Sequence, residues 1–344
     1  MQINQTRRIK LTNEILNSLL KEYEQKKVRE EIAAEERKEA LYDKIPRLRN
    51  IENEINTCAI STTKDILNKN YHSLSSLSDK INSLKREKEE LLKENKIPLE
   101  YLKPHYECPL CKDTGYIQKD NYKTEMCSCL KQRLLDISFN KSNMSNLDKE
   151  NFSTFNELLF SDEINPDKYK FHISPRENMK NIKDKSLEFV QNFDNPDYKN
   201  LLFTGNTGLG KTFLSNCIAN EILKMGKTVL YQTAPVLLEN IIDYKLNKQK
   251  SHLEDINKSV LETDLLIIDD LGTESLNSMK LSELFTIINT RILNLNHKIT
   301  KTIISTNLNI NEIFNKYEER IGSRIAGYYD IYCFFGDDIR FKKR

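Results

Sequence analysis

Tryptophan is absent from the 344 residues, glycine is scarce and no long apolar run occurs. No stretch of eighteen apolar residues exists, so no transmembrane helix and no membrane partner are expected. The opening Met1-Gln2-Ile3-Asn4-Gln5-Thr6-Arg7-Arg8 lacks the apolar core of a secretory signal, which makes the cytoplasm the expected location. Net charge is nearly lacking too. The chain carries 53 basic and 51 acidic residues, a formal +2, so bulk charge gives no reason to expect a nucleic-acid or membrane partner. There are only nine glycines and none precedes Gly115. A glycine-free stretch rich in Glu, Lys and Leu reads as helical. The seven cysteines are an odd number, with four inside Cys108–Cys129 and with Cys58, Cys217 and Cys333 apart. Such clustering in a chain expected in the cytosol favours a metal over disulfides.

Residues 1–104 are expected to form a helical, partner-binding region. Leu11, Ile15, Leu19 and Tyr23 share one helical face, Glu30–Leu41 continues a charged helix, and Pro46 starts a new segment. Leu74, Leu77, Ile81, Leu84 and Leu91 follow three- and four-residue steps, with Lys88 breaking the seam. That pattern fits a short coiled coil or helical hairpin, but an ordinary packed helix is the favoured reading of such an apolar stripe. Residues 105–130 form a cysteine-rich module. Residues 131–196 read as a polar connector with a helix candidate at Asn178–Phe193. Residues 197–344 alternate strand and helix. Strands are expected at Leu201–Thr204, Thr228–Gln232, Asp264–Asp269, Thr302–Thr306 and Asp330–Phe335. Helices are expected at Thr212–Lys224, Pro235–Tyr244 and Leu281–Leu293. This alternation predicts an α/β domain, a parallel sheet with helices on both faces.

Gly205-Asn206-Thr207-Gly208-Leu209-Gly210-Lys211-Thr212 matches the phosphate-loop template at every position, after a strand and before a helix. Its glycines let backbone N–H groups converge on phosphate oxygens, and the helix behind turns its positive end toward the anion. Lys211 reaches the β- and γ-phosphates, and the Thr212 hydroxyl suits Mg²⁺. The ligand expected is Mg-ATP. The apolar strand Leu265-Leu266-Ile267-Ile268 then delivers Asp269 and Asp270 at its C-terminal tip, where open α/β sheets bind ligands. Asp269 is the expected magnesium partner, and Asp270 is placed to orient or deprotonate the attacking water. Asn307, after Ser305-Thr306, is the candidate contact to the γ-phosphate or that water.

Cys108-x-x-Cys111 curls two thiolates toward one ion, and Cys127-x-Cys129 offers a second pair. Four thiolates satisfy tetrahedral Zn²⁺, and a ribbon this small needs its metal to fold. Because the second pair is not Cys-x-x-Cys, His105 is the obvious substitute for a fourth ligand.

The segments 205–212, 265–272 and 305–307 together resemble an AAA+ ATPase, and more narrowly the bacterial replicative-helicase loaders of the DnaC/DnaI type. Glu319-Arg320-Ile321-Gly322-Ser323-Arg324-Ile325 resembles that family's arginine-finger box, and Gly336-Asp337-Asp338-Ile339-Arg340 its second sensor. The resemblance implies that Arg324 acts on ATP held by a neighbouring subunit, supported by Arg320, while Arg340 touches phosphate in its own subunit. It also implies a homo-oligomer when ATP is bound, a replicative helicase gripped by the amino-terminal region, and single-stranded DNA bound by the ATPase part. Similar cysteine modules occur near the amino terminus of DnaI-type loaders. Tyr244-Lys245 and Lys248–Lys250 are loose candidates for the DNA contact. Two further readings stay open. One is a transposition helper of the IstB type. The other is a zinc-containing coiled-coil adaptor that binds nucleotide only as a switch.

Overall fold

The structure, a computed structural model, describes residues 2–67, 74–118, 123–137, 149–246, 259–293 and 298–341. The chain divides into two compact units, one spanning Asn17–Glu125 and the other Met126–Arg344 together with Met1–Leu16. Lys248–Lys250 and the side chains of Leu11, Ile15, Leu74 and Tyr244 lie outside the described residues.

The first unit is helical. Helix α1 runs Gln2–Lys44, α2 Pro46–Leu67 and α3 Leu74–Glu94. Pro46 begins α2 because its missing N–H costs nothing in a first helical turn. Leu41, Tyr42, Leu48, Leu92 and Leu102 make the small core where these helices meet. Lys88, the residue that interrupts the α3 seam, is ion-paired to Glu52 of α2, and both side chains are partly buried. Arg47 adds a two-pronged contact to Glu87, at 2.7 and 2.9 Å. Residues 99–107 run along α1: Arg37 donates to the carbonyls of Tyr101 and Lys103 at 3.0 Å, and Lys26 pairs with Glu107 at 2.8 Å. Strands β1 (Tyr116–Gln118) and β2 (Thr124–Met126) form a two-stranded ribbon in the cysteine segment, and α4 (Ser128–Leu135) follows it.

The second unit holds a parallel five-stranded sheet. Its strands are β3 (Asn200–Thr204), β4 (Val229–Thr233), β5 (Leu265–Leu271), β6 (Lys301–Thr306) and β7 (Tyr329–Cys333), in spatial order β4-β5-β6-β3-β7. Alternate residues feed opposite faces, so each apolar strand serves two cores. Leu202, Leu230, Leu266, Ile268 and Ile304 pack with α8 (Ala234–Leu246), α9 (Ser278–Leu293) and α10 (Ile310–Tyr328). Leu201, Phe203, Val229, Tyr231, Leu265, Ile267 and Ile303 pack on the other face with α6 (Pro175–Gln191) and α7 (Lys211–Lys224). The short helix α5 is Pro166–Tyr169.

Part of the expected connector is therefore sheet cover. Ser174 caps α6 by accepting from the Glu177 N–H at 3.1 Å, and Met179, Ile182 and Phe189 enter the core. Helix α4 likewise runs across residue 130, where a module boundary was expected. The helix expected at Asn178–Phe193 is α6, which begins earlier, at Pro175, behind the Ser174 cap and ends at Gln191; only one stripe of such a surface helix is apolar. Arg291, wholly buried, braces one end of the sheet. Its guanidinium donates to the carbonyls of Val260, Thr263 and Lys301 and to the Thr302 hydroxyl, at 2.6–3.0 Å.

Candidate active site and metal centre

The tips of β3, β5 and β6 bring the expected triphosphate residues together. The loop after β3 requires glycine at two positions for a visible reason. Gly205 sits at φ +130°, and a Cβ there would stand 2.1 Å from the Phe334 carbonyl oxygen. Gly208 sits at φ +77°, and a Cβ would run into the Asp338 carboxylate. The Lys211 ammonium donates to the carbonyls of Gly205 and Asn206 at 2.5 and 2.8 Å and to Asn307 Oδ1 at 2.8 Å. Burial pulls Lys211 down to about 8, while the nearby Asp270 and Asp269 hold it up. Three neutral oxygens hold this cation and, among the described residues, no carboxylate pairs with it directly. A cation held this way, behind a phosphate-loop sequence, suits the oxygens of a triphosphate.

Asp269 is buried and accepts from three hydroxyls: Thr212 at 3.1 Å and Tyr231 at 2.5 Å on Oδ2, and Ser305 on Oδ1. Thr212 and Asp269 thus converge as a hard-oxygen pair of the kind Mg²⁺ takes. The register between β5 and β6 shifts between Ile268 and Leu271, and Asp270 adopts φ +54° inside that irregularity. Its N–H is held by Ser305 Oγ at 3.1 Å. The irregularity interrupts the regular strand pairing at Asp270. Burial raises the Asp270 pKa, Asp269 raises it further, and Lys211 opposes both. A carboxylate with a raised pKa is a better proton acceptor than an ordinary one.

The arginines are arranged differently. Arg324 is half-buried and, among the described residues, has no ion-pair partner. Arg320 is held within its own chain, 2.9 Å from Glu318 and 4.9 Å from the centre of the Phe285 ring. Arg340 is exposed and paired to Asp338 at 2.6 Å, and Asp338 stands against Gly208. The tail carrying this pair is fastened to the loop, with the Ile339 N–H donating to the Gly208 carbonyl at 3.0 Å. Lys245, offered for nucleic acid, pairs with Glu283 at 2.6 Å. Tyr231 and Ser305, which orient Asp269, had no sequence signal beyond lying on strands that border it. Their role depends on sheet order, which no local motif records.

In the cysteine segment the ligand atoms of Cys108, Cys111, Cys127 and Cys129 all lie within 4.8 Å of one another. Zn–S bonds of ~2.3 Å in a tetrahedron put sulfurs roughly 3.8 Å apart, so the four thiols fit such an ion. His105 is outside the cluster; its Nδ1 lies 3.1 Å from the Arg37 guanidinium. The knuckle has an organiser that cysteine spacing does not reveal. Asp113, buried and at φ +54°, accepts from the N–H groups of Glu107 and Cys108 at 2.9 and 2.8 Å. The Lys112 N–H donates to the Cys108 carbonyl at 2.8 Å.

Among known proteins, the family model for IstB-like ATP-binding proteins matches residues 147–320. The replicative helicase loader DnaC of Escherichia coli (strain K12) is 28% identical over 149 residues, which are 43% of this chain and 58% of the loader. The chromosomal replication initiator protein DnaA of Campylobacter jejuni subsp. jejuni (serotype O:6) is 33% identical over 130 residues, 38% of this chain and 28% of the initiator. The chain thus spans little more than half the length of the loader it matches. Of solved structures, one of the DnaC helicase loader overlaps with a TM-score of 0.41 at 24% identity, covering 46% of this chain and 90% of that one. A putative primosome component from Streptococcus pyogenes serotype M3 overlaps at 0.40 and 19% identity, covering 56% and 88%. Among the described residues, no helix is long and apolar enough to cross a membrane.

Proposed function

The chain belongs to the IstB-like ATP-binding family, and on that premise we propose that it is an ATP-hydrolysing loader of a replicative DNA helicase. What supports this reading is the enclosure of Lys211 by Gly205, Asn206 and Asn307 beside the Asp269–Asp270 pair, in the half of a chain that is similar to a helicase loader. Lys211 exchanges its carbonyl partners for the β- and γ-phosphate oxygens of ATP. Thr212 and Asp269 hold the magnesium, which supplies positive charge to those oxygens when bound. Asp270 takes the proton of the attacking water and Asn307 orients that water. Arg324 reaches a neighbouring subunit's ATP, where a guanidinium spreads charge from the transferring phosphoryl group. Arg340 contacts phosphate within its own subunit after leaving Asp338. The active oligomer therefore shares each site between two chains.

The helical residues 1–104 grip the helicase, the four cysteines hold a structural zinc, and the ATPase part binds single-stranded DNA. The test is co-purification of the full chain with the replicative helicase of its own organism, with and without ATP. Complex formation is expected, and failure to bind under both conditions removes the loader reading. The match to IstB-like proteins favours a second reading, a transposition helper. It predicts that ATP drives association with a transposase and that the helicase is ignored.

A further inference from the structure

A hydrogen-bonded bridge joins the Asp269–Asp270 turn to the helix bearing Arg324, and none of the triphosphate chemistry above uses it. Glu274 is buried just beyond that turn. One of its carboxylate oxygens accepts from the Gly272 N–H at 3.0 Å, and the other accepts from the Tyr317 hydroxyl. Lys316, next to Tyr317, donates its ammonium to the Gly272 carbonyl. Two successive residues of α10 thus reach back to one turn.

They do so where α10 breaks. Tyr317 has φ −112° and ψ 15°, and Glu318 has φ +65° and ψ 155°, so the helix restarts in a new direction just before Arg320. A non-glycine residue at such a φ is strained and persists only where its surroundings enforce it. The enforcing contacts are identifiable. Tyr317 is fully buried in the core. Gly322 lies so close to Phe314 that a Cβ would stand 2.7 Å from the ring, which clamps the two halves of the broken helix together. Ile321 and Ile325 are buried, which leaves Arg324 on the more open side of the restarted helix. A carboxylate costs free energy to bury, and Glu274 has no ion-pair partner among the described residues. A plain apolar contact would have filled the same space without that cost. The bridge supplies direction, which an apolar contact does not.

We propose that Glu274 and Tyr317 are positioning residues that set the aim of the Arg324 helix according to the state of the Asp269–Asp270 turn. This rests on the reading that Arg324 serves a neighbouring subunit's ATP. The bridge acts on the arginine side because the turn keeps its other ties. Ser305 holds the Asp270 N–H at 3.1 Å, Thr306 donates to the Leu271 carbonyl at 2.5 Å, and Lys316 holds Gly272. Loss of the Tyr317 hydroxyl leaves those contacts intact, Lys316 included, and frees only the part of α10 beyond the break at Tyr317 and Glu318.

The experiment uses the full chain with Tyr317→Phe, which keeps the buried ring. Alone, the variant should keep its nucleotide affinity and unfolding temperature while turnover falls roughly two- to thirty-fold, the range seen for coupling residues. The informative readout is mixing. With Lys211→Ala, which cannot use its own site but carries an intact Arg324, turnover should exceed the sum of the two variants measured apart. With Arg324→Ala it should not. The reverse pattern would assign the bridge to its own subunit's site and overturn the inference. A control mix of Arg324→Ala with Lys211→Ala reports on the underlying reading. If that control fails to recover, the shared site and this inference fall together. If it recovers while Tyr317→Phe with Lys211→Ala does not, this inference falls alone. Should Tyr317→Phe unfold, Glu274→Gln carries the same expected pattern.

Discussion

The triphosphate site and the cysteine cluster are built in opposite ways. The first gathers residues from Gly205 to Asn307, and Asp269 alone is held by hydroxyls from a helix and two separate strands, at Thr212, Tyr231 and Ser305. Its phosphate loop, its two aspartates and Asn307 sit at strand ends of a sheet with two apolar cores. The second draws four thiols from the span Cys108–Cys129 and organises them with one buried aspartate. A site assembled across a sheet inherits its geometry from the core and exists before any ligand arrives. A cluster assembled from neighbouring residues has little core to lean on, so its geometry depends on what the thiols hold.

The largest test of that contrast is metal removal. Structural zinc contributes on the order of 10–16 kcal/mol in small zinc-dependent folds. Chelation of the full chain should therefore open residues 105–130 to protease while nucleotide affinity stays unchanged. A purified chain with no zinc by elemental analysis would break the comparison on the cysteine side. Next in size is Asp270→Asn, which should slow ATP hydrolysis about 10²- to 10⁴-fold, the usual worth of a positioned general base, with ATP affinity retained. Unchanged turnover would remove Asp270 from the chemistry.

Lys211 gives a graded test. Burial pulls Lys211 down to about 8, and a phosphate beside it would raise that value. Its contribution to affinity is thus complete below about pH 8 and declines as pH rises through that value, by at most about tenfold per unit. Titrating ATP binding between pH 7 and 9.5 checks this, and a flat profile in the full chain would contradict it. Lys211→Ala should abolish the slope along with most of the binding. The smallest effect belongs to Asp338→Ala. Freeing Arg340 from its exposed ion pair should tighten ATP binding slightly, and ADP binding less, in paired calorimetric titrations.

Much of this was legible in the chain because short spacings encode it. The Gly205–Thr212 loop, the Asp269–Asp270 strand end and the Cys108–Cys129 pattern are local, and a local constraint leaves a local trace. The sheet strands were legible for the same reason, with ends off by one or two residues. The Asp330–Phe335 expectation ran past the true end of β7 at Cys333. There the Phe334 N–H makes the last tie to β3, donating to the Thr204 carbonyl at 2.7 Å, and beyond it Gly336 takes φ +135°, so the chain leaves the ladder despite its apolar residues. What stayed hidden was long-range. Nothing in the neighbourhood of Glu274 announces a tyrosine 43 residues away. The Asp338 grip on Arg340 is the converse case. Its partners are two residues apart, yet the second-sensor resemblance pointed Arg340 toward phosphate.

Gln132 carries one more consequence. From α4, its side-chain amide donates to the Val229 carbonyl at 3.0 Å and accepts from the Val229 N–H at 2.7 Å. It mimics a peptide group at the border strand β4, so one border of the sheet ends on a counterfeit neighbour instead of a bare row of donors and acceptors. Open borders invite other chains to pair with them. The helix that carries Cys129 thus covers the sheet border at Val229, and a chain with Gln132→Ala is expected to aggregate slowly while residues 205–212 and 269–270 stay untouched.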